Sequence, residues 1–369
     1  MEQLIQVYLL LLNILKMKFN NAKLSIGILY IGVIVLASII ALYFQIENHI
    51  ILHFGNTIKT VYVYIFFIII FTLPFDIFSH IKLNPKEEKK ILEIISANII
   101  LFLIFILYGS IVFYSYHKQS LSLCILLSTI SQLMLLPLQE LSIKTFMKGK
   151  SDKIDGFSLI IIPEAPSYMT MNILRTFKDT IIVVPKHWTR QNFKNYKFHL
   201  ERFKLNIKKK NHIRSYIFSI VINTILFIIL YSYYSNTNIS AVAFTIKVSL
   251  IFNIIGFVYI LILPTLSQRG IYNIDNIMKK KDLNLFKENL NIYEENQDKN
   301  YNRSKAVESI FYPIPSTQSR LNSKIEKNFG LPNISRIIIF FASFSLSIIF
   351  KGVHGNAGKI GNWILPPSE

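Results

Sequence analysis

Apolar runs too long for a soluble core recur along this chain, and almost all the charge falls in every second gap between them. Residues 24–44 carry no charge over about twenty positions, the length a helix needs to cross a bilayer. Comparable runs lie at 61–75, 94–116, 121–138, 216–234 and 248–266. Residues 337–350 form a run of only about fourteen, which is marginal for a span and equally suits a helix lying in the interface. The pattern predicts an integral membrane protein with six spanning helices, or seven if the last run crosses.

Orientation follows from where the basic residues collect. Lys16, Lys18 and Lys23 precede the first run, and Lys82, Lys86, Lys89 and Lys90 fill the second gap. Residues 139–214 and 267–336 are heavily basic, the latter with Lys279, Lys280 and Lys281 in a row. Gaps 46–60, 116–119 and 235–241 are poor in charge. Alternation therefore places the N-terminus and both large polar regions in the cytoplasm. A seventh span would leave residues 351–369 outside.

Within the polar regions the period changes. Residues 157–162 and 180–184 are short Ile/Val-rich runs closed by Gly156, Pro163 and Pro185, which reads as two strands joined through a loop at 163–170. From Thr189, read as the N-cap, to Asn211 the pattern is helical. Phe193, Tyr196, Leu200, Phe203 and Ile207 make one apolar stripe, with Lys194, Lys197, Glu201, Lys204 and Lys208 opposite. Residues 284–303 are polar enough to read as a mobile loop. Residues 1–23 show no small-residue cleavage site and read as an interfacial segment, not a removed signal.

Composition narrows the partners. A net charge of +19 would suggest nucleic acid in a soluble protein, but cytoplasmic loops facing anionic lipid account for it here. The chain is also rich in Ile, Lys and Asn and poor in Arg and Gly, as an AT-rich coding sequence produces. The single Cys124 lies within a span, so there is no disulfide framework and no thiolate metal site.

The order strand, strand, amphipathic helix, membrane hairpin resembles the cytoplasmic zinc-peptidase module of membrane proteases of the CAAX prenyl protease and HtpX type. In that family a helix bearing HExxH precedes the hairpin. A following helix carries a Glu ligand four residues before an Asp, and a His-Pro-Ser-x-x-x-Arg-Ile element comes later. Here Leu73-Pro74-Phe75-Asp76 resembles a Leu-Pro-Phe turn that closes the second span in some relatives. Arg269 to Asp275 resembles the post-hairpin segment with its Asp kept, and Ile314-Pro315-Ser316-Thr317-Gln318-Ser319-Arg320-Leu321 matches the later element except at its first position. The resemblance implies a zincin-like module, and the departures remove its chemistry. Aligned on Glu201, HExxH reads Leu200-Glu201-Arg202-Phe203-Lys204; shifted by one it keeps only His199. The third ligand position is Ile271. Catalytic zinc needs three protein ligands and an open water position, which this set does not supply.

The expected fold class is thus an α-helical polytopic membrane protein of six to seven spans with a small cytoplasmic α/β zincin-like module split by a membrane hairpin. In segments, 1–23 is interfacial, 24–138 holds four spans, 139–212 is the first part of the module, 213–266 the hairpin, 267–335 the second part, 336–350 a candidate seventh membrane segment and 351–369 a tail. The expected function is that of a pseudo-protease in a bacterial-type cell membrane, non-catalytic, without zinc or another cofactor, binding a protein partner at the fossil cleft and anionic head groups through its basic loops. Two alternatives stay open: an active membrane zinc metalloendopeptidase with ligands outside both registers, and a small-solute transporter. Against the transporter, the sequence reads as having no carboxylate within a span and no Gly- or Pro-broken helix pair.

Relic candidates for the site are Glu201, His199 and Asp275. Glu201 reads either as a former general base or as a solvated carboxylate paired with Lys197. His199 and His212 lack a third ligand at metal spacing, and Asp275 is either a retained structural acid or an ordinary helix residue. Residues 186–212 interleave aromatics with basics, as single-strand nucleic-acid binders do, but their one-stripe spacing favours core packing, and no nucleic acid is expected. Asn223 and Asn253 read as glue between helices, and Lys247 as a residue snorkelling to the outer interface. Leu200, Phe203 and Ile271 are expected to meet as an apolar plug where the family holds zinc.

Overall fold

Among the described residues, six helices are long and apolar enough to cross a membrane, the make-up of a helical polytopic membrane protein. The computed structural model describes residues 19–83, 91–165, 169–189, 193–296, 303–323, 330–353 and 363, so the segment 1–23 read as interfacial falls almost wholly outside the described residues. In chain order the helices and strands are α1 Phe19–Tyr43, α2 Ile46–Phe54, α3 Ile58–Leu83, α4 Ile91–His117, α5 Leu121–Phe146, β1 Lys150–Ile154, β2 Phe157–Ile162, β3 Asn172–Arg175 and β4 Thr180–Pro185. They continue as α6 Lys186–Thr189, α7 Phe193–Lys208, α8 Asn211–Ser235, α9 Ala241–Ile262, α10 Pro264–Lys281, α11 Leu283–Asn296, α12 Lys305–Phe311, α13 Thr317–Asn322 and α14 Ile334–Phe341, followed by 3-10 turns Ala342–Ser345 and Ile349–Lys351.

α1, α3, α4, α5, α8 and α9 match the six apolar runs, though α3 is longer than the run that announced it. It continues through Pro74 to Leu83. Leu73-Pro74-Phe75-Asp76 therefore does not close the span; neighbouring helices can satisfy the carbonyl that a proline frees in a membrane helix. Asp76 now lies within a candidate span, which overturns the sequence reading that no span carries a carboxylate.

The chain divides into two compact units. The first comprises Met1–Ser131, Thr224–Phe257 and Ala342–Trp363. Its most unusual part is the stretch from Ala342 to Val353, which is irregular, interrupted by 3-10 turns and buried at every residue. Residues 337–350 are not one continuous α-helix: α14 ends at Phe341, 3-10 turns follow, and every residue of the run is buried. Irregular backbone survives at membrane depth only where protein satisfies its polar groups. One face of α9 does this. Ser249 Oγ donates to the Leu346 carbonyl at 3.1 Å, and Asn253 Oδ1 accepts from Ser347 Oγ and the Ile348 N–H, each at 3.0 Å. One turn on, a Cβ on Gly256 would stand 2.7 Å from Ile349, so the close approach requires glycine. Leu346 sits at φ 62°, in the left-handed region that leucine seldom adopts. Asn253 also donates to Ser38 on α1 at 3.2 Å.

The second unit comprises Gln132–Asn223, Val258–Phe341 and Ile364–Glu369. It contains a four-stranded mixed sheet of order β1-β2-β4-β3. β2 and β4, the two strands legible in the sequence, pair in parallel with Leu159 opposite Ile182. Two further strands were not anticipated. β1 is polar and mostly exposed, so it lacks the alternation that announces a strand. It pairs with β2 through an Asp155-Gly156 turn with both residues at positive φ, the dipeptide that two-residue hairpins favour. β3 is only four residues long and hugs β4.

α7 packs its Leu200 and Phe203 on Leu159, Ile173, Ile182, Val184 and Trp188, with Tyr196 and Ile207 alongside. The apolar stripe thus faces the sheet as expected; the Phe193 side chain lies outside the described residues. Thr189 ends α6 and bonds the Lys186 carbonyl, so it is not the N-cap of α7. Lys204, assigned to the solvated face, is buried, its Nζ 2.6 Å from Asp155 and 3.4 Å from Glu201. Residues 284–296 form α11, not a mobile loop, because Phe286 and Leu290 supply a short apolar stripe that packs on Phe198, Ile274 and Met278. Residues 297–302 lie outside the described part.

Phe203 is 5% exposed, so Phe203→Ala should lower stability by about 3–5 kcal/mol in denaturant unfolding followed by far-ultraviolet circular dichroism. An effect below about 1 kcal/mol would show that the stripe does not carry the packing.

Candidate functional site

α7 is buried on two sides. Besides the sheet face, Phe198, Arg202 and Leu205 recur at spacings of four and three and turn towards α10 and α11. There Arg202 meets Asp275, which has no exposed surface. Arg202 Nε and Nη2 donate to Asp275 Oδ1 at 3.0 and 2.8 Å. Arg320 grips the same carboxylate from α13, with Nε on Oδ2 at 2.7 Å and Nη2 on Oδ1 at 2.9 Å. Ser316 caps α13, its side chain accepting from the Ser319 N–H, and so aims Arg320 inward four residues later. Three separate stretches, residues 198–205, 269–275 and 314–321, therefore meet at one carboxylate.

Burial alone would raise the Asp275 carboxyl; Arg320 and then Arg202 outweigh it and hold it below the ordinary carboxylate range. The clamp leaves one carboxylate between two guanidiniums. Arginine suits this place better than the surrounding lysines because its planar fork can engage two oxygens at once.

His199 lies beside the clamp, edge-on to Trp188 at 5.0 Å and 5.9 Å from the Tyr293 ring. Its Nε2 is buried without a hydrogen-bond partner. Burial, and then Arg202 and Arg320, push the imidazole down to about 3, so it is neutral across the physiological range.

The remaining sequence candidates separate. Glu201 is half-exposed and pairs with Lys204, not with the predicted Lys197, and it does not enter the clamp. His212 bonds the Thr180 hydroxyl at 3.1 Å, so the two histidines serve different partners. Leu200 and Phe203 pack on the sheet, whereas Ile271 is buried outside that cluster, so the expected plug does not assemble. The pentapeptide whose ends face α10 is Phe198-His199-Leu200-Glu201-Arg202, a register shifted one further than the two considered from sequence. That register offers phenylalanine and arginine at the outer positions, neither of which coordinates zinc. Among the described residues no three His, Cys, Asp or Glu side chains group as a metal site. Arg202 was the missed residue, and its one legible signal was an arginine within a helix otherwise basic through lysine.

The first unit holds a second polar cluster. Lys351 Nζ lies 2.6 Å from Asp76 Oδ2, 2.8 Å from Asn98 Oδ1 and 3.1 Å from Thr72 Oγ1, and 4.7 Å from the centre of the Trp363 ring. All three donors of the ammonium are used. Lys247 pairs with the buried Glu47 at 2.6 Å, so it is held by an ion pair and is not merely snorkelling.

Two outcomes follow from the clamp. Removing Asp275 leaves two buried guanidiniums uncompensated, so Asp275→Ala should cost about 3–5 kcal/mol. Lys287→Ala, on the exposed face of α11, should change stability by less than about 0.5 kcal/mol. Equal, small effects would show that the clamp is dispensable. His199 has its folded-state pKa below its unfolded value near 6.5, so the unfolded chain binds the extra proton. Its contribution is complete above pH 6.5 and declines as pH falls towards about 3, by up to about 1.4 kcal/mol per pH unit. His199→Phe should flatten the stability profile over that window; an unchanged slope would assign it to other groups. No protein-family model matches the chain, and no curated protein matches its sequence.

Proposed function

We propose that the chain is an integral membrane pseudo-protease whose sheet-bearing unit derives from a zinc peptidase of the CAAX prenyl protease and HtpX type and binds a protein partner instead of cutting one. The observation that carries this reading is the convergence on Asp275. The helix before the hairpin, the helix after it and the Pro-Ser-x-x-x-Arg element are distant in sequence, and a common ancestry predicts that they should be neighbours. Their meeting point holds arginine and phenylalanine where the family would need histidine, and Ile271 stands where it would need glutamate. A positively charged clamp repels a divalent cation, and Glu201, turned away beside Lys204, has no metal-bound water to deprotonate.

In this reading the sheet-bearing unit and the N-terminus lie in the cytoplasm of a bacterial-type cell. Lys208, Lys209, Lys210 and Arg214, all exposed around the start of α8, face anionic head groups, and no nucleic acid is involved. The transporter alternative gains one feature, the Asp76–Lys351 pair within the first unit.

The purified full chain should contain no stoichiometric zinc by elemental analysis and show no chelator-sensitive cleavage of an unfolded protein substrate. Cysteine labelling should place Asp152 inside the cell and Asn236 outside. One equivalent of tightly bound zinc with chelator-sensitive cleavage would restore the active-peptidase alternative. Asp152 and Asn236 on the same side would remove the hairpin on which the resemblance rests.

A further inference from the structure

We propose that Thr72, Asp76, Asn98 and Tyr30 form an intramembrane binding site for a small monovalent cation, and that the Lys351 ammonium is its tethered occupant in this conformation. Asp76 and Thr72 stand one helical turn apart on α3, with Asn98 on α4 and Tyr30 on α1. Three different oxygens, a carboxylate, an amide carbonyl and a hydroxyl, converge on one cationic nitrogen at 2.6–3.1 Å. Such a donor set suits a hard monovalent ion as well as an ammonium.

A second observation points the same way. The Tyr30 hydroxyl is buried beside Thr72 and Asp76 and approaches Thr72 without a well-formed hydrogen bond, so a polar oxygen at the edge of the cluster is only weakly engaged. A packing anchor would not need it; a site that accepts an ion with a larger coordination shell would. The delivery of Lys351 is also unusual. It comes from the 3-10 turn Ile349–Lys351, in a buried segment containing a left-handed leucine. Next to it Gly352 packs so closely on the Tyr30 ring that a Cβ there would collide. Strained irregular backbone is retained where surrounding structure holds it, and such places cluster at switching and binding segments. A carboxylate within a span is likewise costly, and such residues characteristically mark functional sites. The proposal concerns the first unit alone and is independent of the pseudo-protease reading of the second.

The test follows thermal unfolding of the full chain in detergent, in chloride salts of sodium, potassium, ammonium and choline at equal ionic strength. K351M removes the tethered ammonium and leaves Asp76 for a solute ion. Extracted in each salt from the outset, K351M should fold and melt higher in at least one small-cation salt than in choline. The gain should rise with the logarithm of concentration above the dissociation constant. D76N/K351M should melt alike in all four salts. In a W188F background Trp363 is the remaining tryptophan, and its emission should change saturably with the same cation while Lys351 is intact. A K351M protein that behaves identically in all four salts, whether folded in each or aggregated in each, overturns the site. A flat Trp363 titration overturns the exchange of Lys351 for a solute ion.

Discussion

The constraint on which the first unit depends is that a polar group at membrane depth has no water to turn to. Within the long helices the backbone solves this by itself. The stretch from Ala342 to Val353 does not, because its turns leave carbonyls and N–H groups without helical partners. Its position is therefore dictated by the side chains that serve it. Ser249 takes up the Leu346 carbonyl, and Asn253 accepts from Ser347 and the Ile348 N–H. Gly256 lets Ile349 come close enough for those bonds to form. The same rule makes Lys351 tolerable, since each of its donors finds an oxygen.

In the second unit the corresponding role falls to Asp275. A buried carboxylate is stable only when its oxygens are satisfied, and two arginines from different elements do so with four hydrogen bonds. Such a clamp is poor evidence for extra stability compared with an apolar core, because desolvating three charges is expensive. It is better evidence for specificity. The observed arrangement of α7, α10 and α13 brings both guanidiniums to the same acid, and the neutral, buried His199 beside it adds no proton to the positive cluster.

Arg202 and Lys351 are each a buried cation held by a buried aspartate. The difference lies in what surrounds them. Around Arg202 the carboxylate is shared with a second guanidinium in an aromatic and aliphatic setting, which suits a closed structural site. Around Lys351 one ammonium faces one carboxylate and two neutral oxygens, with the Tyr30 hydroxyl only weakly engaged nearby. The first arrangement ties two guanidiniums to one acid, whereas the second divides one ammonium among three oxygens.

The amino-acid sequence by itself determined the six spans, the β2 and β4 strands and the sheet-facing stripe of α7, because each depends on local hydrophobic spacing that burial then obeys. It also showed that Leu200, Lys204 and Ile271 are not residues that ordinarily ligate zinc, since ligand chemistry is a property of residue type. Only the tertiary structure decided which face of α7 meets α10, because a helix buried on two sides carries two stripes, and spacing cannot say which one faces the partner. For the same reason Lys204, Arg202 and Lys351 passed as ordinary basic residues: a charge is exposed or buried according to what lies opposite it, and Asp155, Asp275 and Asp76 are 49, 73 and 275 residues away. The break at Phe341 was illegible too, since the run from Ile337 to Phe350 is apolar throughout, and only the polar face of α9 makes a broken path satisfiable.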